Sequence, residues 1–102
     1  MEIRLLNEYN VKKVHWESRE VECFCPLGND WCTHKFVVDV ECGRYIFDLY
    51  KLDDWITENI KGQQMTMEQS AHALYKFLVY EIEPTSISVK EYNGIGGYIV
   101  EI

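Results

Sequence analysis

The order in which the hydrophobic period changes along this chain limits its fold more than any single motif. From Val11 to Cys25 (VKKVHWESREVECFC), Val14, Trp16, Val21, Cys23 and Cys25 fall on one side with Lys, Glu and Arg between them. That imperfect alternation predicts a long strand carrying a bulge. Pro26 ends it, because proline cannot donate to a ladder, and Leu27-Gly28-Asn29-Asp30 has turn chemistry. Thr33 to Cys42 alternates again, with Phe36, Val38 and Val40 on one face and Val37, Asp39 and Glu41 on the other. Between Asp48 and Ile60 the period becomes helical: Leu49, Leu52, Trp55, Ile56 and Ile60 share a face, Asp48 is placed to cap, and Asp53 and Asp54 fall early in the helix. A second helical run opens at Thr66, carries Ala71, Leu74, Tyr75, Leu78 and Ile82, and stops at Pro84. Ile87 to Glu91 and Tyr98 to Ile102 return to alternation across the glycine-rich link Asn93 to Gly97.

Strand, strand, helix, helix, strand, strand predicts an α+β domain, a four-stranded antiparallel sheet with two helices on one face (ββααββ). No repeat, linker or low-complexity segment divides residues 1–102, and residues 1–10 read as a lead-in strand or a loose N-terminal arm. A chain of 102 residues with 47% hydrophobic and 14% aromatic content can bury a core. At this size it buries less than about 70% of its unfolded surface, so partner chains are expected to complete it. The formal net charge of −7 argues against a broad phosphate-binding face. No apolar run of membrane-spanning length and no signal pattern at Met1 is present, so a cytoplasmic protein without membrane contact is expected. In that setting the four cysteines read as thiols or ligands rather than disulfides.

Chemistry concentrates in Cys23 to Phe36 (CFCPLGNDWCTHKF), which holds three cysteines and one histidine. A cysteine at a strand end before a turn, here Cys25, can be a nucleophile if backbone N–H groups and a base such as His34 favour its thiolate. Cys23, Cys25, Cys32 and His34 also make a possible tetrahedral zinc set, although Cys-x-Cys and Cys-x-His spacings are unusual for one. Each cysteine can equally be a core thiol. Glu68, early in the second helix, is either a capping-box acid or a paired acceptor for the N–H edge of a heterocycle. Gly94, Gly96 and Gly97 read as a turn or a ligand loop. His15 and His72 read as surface or packing residues, and Trp55, Tyr75 and Phe77 as core.

The element order resembles the tunnelling fold, small purine- and pterin-handling enzymes whose subunits join sheets into a barrel with active sites at the junctions. Glu22-Cys23-Phe24-Cys25-Pro26, a turn and then Phe36 resembles the Cys-Pro signature of the 7-cyano-7-deazaguanine reductase family. Thr66-Met67-Glu68 resembles that family's helix-start glutamate, and Tyr92-Asn93-Gly94-Ile95-Gly96-Gly97 its C-terminal aromatic-Asn and Gly-Gly turn. The resemblance implies that Cys25 adds to a nitrile to give a thioimide and that Glu68 holds the base, with Gly96 and Gly97 beside it. It also implies an acid shortly after the cysteine. Asp30 lies two residues short of the usual spacing and Cys32 stands near that place, so Asp30 and His34 are the candidates.

Departures select the subtype. Where nicotinamide-dependent reductases carry a lysine-rich segment, Phe47 to Asp54 reads FDLYKLDD, so NADPH is not expected. The helix-start histidine is replaced by Met67. The chain looks more like the short members that add ammonia to the nitrile to give a formamidine, as in archaeosine formation on tRNA, with no cofactor. The ligand is then purine- or pterin-like, either free or a modified base in tRNA or DNA, and the assembly a homo-oligomer. Two alternatives stand beside this one. In a zinc-dependent 6-pyruvoyl-tetrahydropterin synthase-like or 6-carboxy-tetrahydropterin synthase-like lyase, Glu91 would match the strand glutamate that anchors the pterin. The other is a non-catalytic domain that kept the fold for ligand binding or interaction.

Overall fold

Strand β4, Asp30–Glu41, organises the molecule, and its inward residues decide what surrounds it. In the computed structural model, which describes residues 2–94 and 97–102, Phe36, Val38 and Val40 of this strand are buried while Asp39 and Glu41 face outward, as the alternation predicts. Along one edge β4 pairs antiparallel with both β2, Lys13–Glu17, and β3, Val21–Cys25. Glu17 faces Val37 and Val21 faces His34, so three residues on one side span two on the other. The predicted long strand is therefore real and its bulge lies at Ser18 to Glu20. Ser18 closes the gap: its N–H donates to the Phe36 carbonyl and its hydroxyl oxygen accepts from the Phe36 N–H, both at 2.9 Å. On the other edge β4 pairs with β6, Ser86–Asn93, which pairs with β7, Ile99–Glu101.

The β3–β4 hairpin is tighter than expected. Strand β4 starts at Asp30, three residues before the predicted Thr33, and the left-handed turn position is Asn29 (φ 51°) rather than Gly28. Asparagine tolerates that conformation.

Both helices cover the inward face. Helix α1, Leu49–Asn59, is capped by Asp48, whose side chain accepts from the N–H groups of Tyr50 and Lys51. Asp53 and Asp54 fall beyond its first turn, which holds no acid, contrary to the sequence reading. Helix α2, Met67–Ile82, is capped by Thr66. Leu52, Ile56, Leu74 and Leu78 pack on Phe36, Val38 and Val89, and the rings of Trp55 and Phe77 stack at 4.2 Å.

One feature escaped the sequence reading. A separate two-stranded sheet joins β1, Arg4–Leu6, to β5, Tyr45–Phe47. Residues 4–6 are thus no loose arm: Ile3 is fully buried, its N–H donating to Glu81 at 2.7 Å and its carbonyl accepting from Asp48 at 2.9 Å. No helix of the described residues is long and apolar enough to cross a membrane.

Helix α2 ends on Glu83 in the left-handed region (φ 46°, ψ 58°), exposed and before Pro84. Glycine adopts this conformation without the Cβ penalty. Glu83→Gly is expected to stabilise the fold by about 1 kcal/mol, seen as a higher midpoint in thermal unfolding.

Candidate active site

Three segments converge at the Asp30 end of β4. The stretch before α2 is zipped onto the free edge of β3, with the Phe24 N–H donating to the Gln63 carbonyl at 3.0 Å and the Met65 N–H donating to the Phe24 carbonyl at 3.1 Å. This pairing brings the N-terminus of α2 beside Cys25. Across the sheet, the Asn93 N–H donates to the Tyr98 carbonyl at 3.1 Å and closes the β6–β7 connection. Cys25, Leu27, Thr66, Met67, Glu68, Asn93 and Tyr98 line the resulting cleft, about 160 Å³. Wider hollows lie on the open face of the sheet, one of about 500 Å³ around His15, Lys35 and Lys90. Those are floored by exposed ion pairs, such as His15 with Asp39 at 2.6 Å, and are lined by no cysteine.

Glu68 is free for the cleft because its neighbour caps the helix. The box is closed by Gln69, whose side chain accepts from the Thr66 N–H at 2.9 Å while its own N–H donates to the Thr66 hydroxyl oxygen at 3.2 Å. That arrangement excludes the capping-box reading of Glu68. Its carboxylate instead accepts from the Tyr98 hydroxyl at 3.0 Å. A bond from its own backbone N–H, then that from Tyr98, hold Glu68 below the usual carboxylate range. It stands ionised at the positive end of α2, an acceptor for N–H groups.

The cysteines separate by role. Cys23 is fully buried with its thiol donating to the Ile60 carbonyl at 3.3 Å, and burial pushes it up to about 12, a core thiol. Cys42 is half-buried on the far side of the β4 strand end. Cys25 is half-buried and opposes Asp30 directly across the hairpin, while Cys23 opposes Cys32. Asp30 is exposed and accepts from the Trp31 N–H at 2.8 Å. Among the described residues no three His, Cys, Asp or Glu side chains are disposed to hold a metal ion, so Cys23, Cys25, Cys32 and His34 share a neighbourhood without forming a coordination sphere.

Behind Cys25 lies a polar cluster that the sequence did not resolve. Cys32 Sγ is 3.0 Å from His34 Nε2. His34 Nδ1 is 2.8 Å from Glu91 Oε2, a close approach too far off axis to be a well-directed hydrogen bond. Ser70 Oγ, one turn into α2, lies 2.6 Å from Glu91 Oε1. His34, Ser70 and Glu91 have no exposed surface, so Glu91 does not reach the cleft as a ligand anchor would. Burial pushes the Glu91 carboxyl up, only partly offset by His34 and Ser70. Gly97 holds a left-handed φ of 77° that suits glycine, and Gly96 lies outside the described residues. Asn93, Tyr98 and Ser70 were absent from the predicted site. The aromatic-Asn motif pointed to the first, and a serine on the buried stripe of α2 was the available sign of the last.

This α+β arrangement, a bulged antiparallel sheet with two helices on one face and a cleft at the start of the second, is consistent with a tunnelling-fold-like structure. Among solved structures, the crystal structure of the archaeosine synthase QueF-Like in the apo form is similar to it with a TM-score of 0.77, covering 90% of each chain at 15% sequence identity. No family model matches the sequence, and no curated protein does.

Folding makes Glu91 hold its proton more tightly than the unfolded chain does. That contribution to stability is complete below the ordinary carboxylate range and is lost as pH rises through the elevated native value. Glu91→Gln, which cannot ionise, is expected to flatten this fall, as measured by urea unfolding between about pH 4 and 8.

Proposed function

We propose that this chain modifies a 7-deazapurine, with Cys25 adding to the nitrile of 7-cyano-7-deazaguanine. The observation that carries the reading is the meeting of Cys25 and Glu68 in one cleft, a thiol and an ionised carboxylate on different elements. The similar solved structure, an archaeosine synthase, adds support from the fold. Glu68 would accept two N–H groups from the edge of the base, the Tyr98 hydroxyl making way or sharing the carboxylate. Held there, the nitrile carbon stands before Cys25. The C–S bond forms as one C≡N π bond opens, and the nitrogen takes a proton to give a neutral thioimide. Asp30, directly across the hairpin, and His34, behind Cys32, are the groups that can manage that proton. Ammonia then adds to the thioimide carbon and the thiol leaves, giving a formamidine.

Ammonia is favoured over hydride because the start of α1 offers no cationic cradle for a nicotinamide phosphate. Asp48 caps that helix and Asp53 pairs with Arg19 at 3.2 Å. The chemistry is read as needing neither metal nor cofactor. A net charge of −7 favours the free base over one carried in tRNA or DNA. Side-by-side assembly of sheets through the edges at β2 and β7 would place a neighbouring subunit beside the cleft, as expected for a cytoplasmic tunnelling-fold homo-oligomer.

Incubation with 7-cyano-7-deazaguanine is expected to add the mass of one base per chain, read by intact-mass spectrometry and lost in Cys25→Ala. Glu68→Gln should weaken base binding about ten- to a hundredfold, measured by calorimetry, because a charged acceptor is replaced by an amide with one acceptor oxygen. An adduct that survives Cys25→Ala ends the nucleophile reading. Tight binding without an adduct would leave a ligand-binding protein.

A further inference from the structure

We infer that Cys32 and His34, with Glu91 positioning His34, form a proton relay that takes the Cys25 proton before attack and returns it to the nitrile nitrogen afterwards. This inference rests on the nitrile reading for the second half of its cycle, but not for the first.

The relay follows from the strand register. Cys25 opposes Asp30 and Cys23 opposes Cys32, so Cys32 sits diagonally from Cys25 on the inward face, where burial and then the neighbouring Cys25 thiol push the Cys32 thiol up. From Cys32 the path continues to His34 Nε2 at 3.0 Å, from His34 Nδ1 to Glu91 Oε2 at 2.8 Å, and from Glu91 Oε1 to Ser70 at 2.6 Å. It runs from the cleft into the core without passing through solvent.

Proton counting assigns its resting state. The single hydroxyl hydrogen of Ser70 faces three acceptors, Glu91 Oε1 at 2.6 Å, the Met67 carbonyl at 3.1 Å and the Thr66 carbonyl at 3.2 Å. A protonated Glu91 settles this: its O–H donates to Ser70, which donates in turn to the helix carbonyls. Glu91 Oε2 is then free to accept from His34 Nδ1–H, which leaves Nε2 as the acceptor of the Cys32 proton. Every member is then neutral, which spares the buried cluster the cost of an uncompensated charge. The off-axis Nδ1 to Oε2 approach is of the kind that tightens when a catalytic group becomes charged.

In the cycle, the Cys25 proton moves to the Cys32 sulfur as the Cys32 proton moves to His34 Nε2. This leaves a Cys25 thiolate and an imidazolium facing Glu91. After the C–S bond forms, the negative nitrogen takes the proton of Cys32, and Cys32 recovers one from His34. No proton is gained or lost overall. Cys32 is the catalytic member, since it meets both the nucleophile and the nitrogen, whereas His34 and Glu91 act through it. The other groups facing the relay are Cys23 on β3, Asn93 on β6 and Glu68 on α2.

The test measures iodoacetamide alkylation at the Cys25 peptide, a probe that needs no substrate, across about pH 6 to 9. In Cys32→Val and His34→Gln the Cys25 rate near neutral pH should fall about tenfold or more, with the midpoint of the profile moving up by about one pH unit. Cys32→Ser, whose hydroxyl keeps the chain connected, should retain most of the wild-type rate. If His34→Gln loses cooperative thermal unfolding, the Cys32→Val and Cys32→Ser pair decides alone. Wild-type profiles in folded Cys32→Val overturn the relay, whatever the nitrile does. A coupled profile with no nitrile adduct keeps the relay and removes the proposed substrate.

Discussion

The two-residue period of β4 is the constraint on which fold and site both depend. Its inward positions are Cys32, His34, Phe36, Val38 and Val40, all buried. The last three build the core against α1 and α2, while the first two meet Cys25 and Glu91. One strand therefore passes from packing to chemistry without changing face. A one-residue slip of β4 would turn Phe36 and His34 outward together and destroy both at once. Ser18 guards against that slip. By bonding both the N–H and the carbonyl of Phe36, it fixes the bulge between β2 and β3 and so sets which residue of β3 stands opposite Cys32.

A similar economy governs the start of α2. A helix leaves its first N–H groups unpaired, and they attract an acid or an amide. Gln69 takes the capping duty, which leaves the neighbouring Glu68 charged and directed to the cleft. Had the acid stood at Gln69's place, its side chain would have closed the capping box on the Thr66 N–H instead of lining the cleft. Loop 62–65 then fixes where this helix start lies by pairing with β3, so the distance between Glu68 and Cys25 is set by sheet hydrogen bonds rather than by a free loop.

Much of this was legible in the sequence where a period repeats often enough to be read. The inward row of β4, the bulged β2–β3 run, the caps Asp48 and Thr66 and the stop at Pro84 all follow from local chemistry. The small β1–β5 sheet was not legible, because three-residue strands carry barely one period and their pairing spans about forty residues of sequence. At the site, the sequence singled out Cys25, His34 and Glu68. It could not tell Glu68 from Gln69 as the capping partner, since both residue types cap and their positions are adjacent. The contact of His34 with Glu91 depends on the β4–β6 register, in which Phe36 opposes Glu91 and His34 lies one diagonal away. No local pattern encodes a register between strands separated by two helices.

The position of the polar cluster argues for its use. Burying a histidine against a carboxyl costs desolvation that an apolar pair of similar volume would avoid, often with no loss of stability. Three positions along the same row, Phe36, Val38 and Val40, are filled in just that cheaper way. The change to Cys32 and His34 comes only at the end of β4 that reaches Cys25, and it recruits Glu91 from β6 and Ser70 from α2. A cluster serving the core alone would have no reason to lie on the cleft side of Phe36 or to end in a thiol diagonal to the half-buried Cys25. Its polarity runs toward the cleft, which is the direction in which a proton would have to travel.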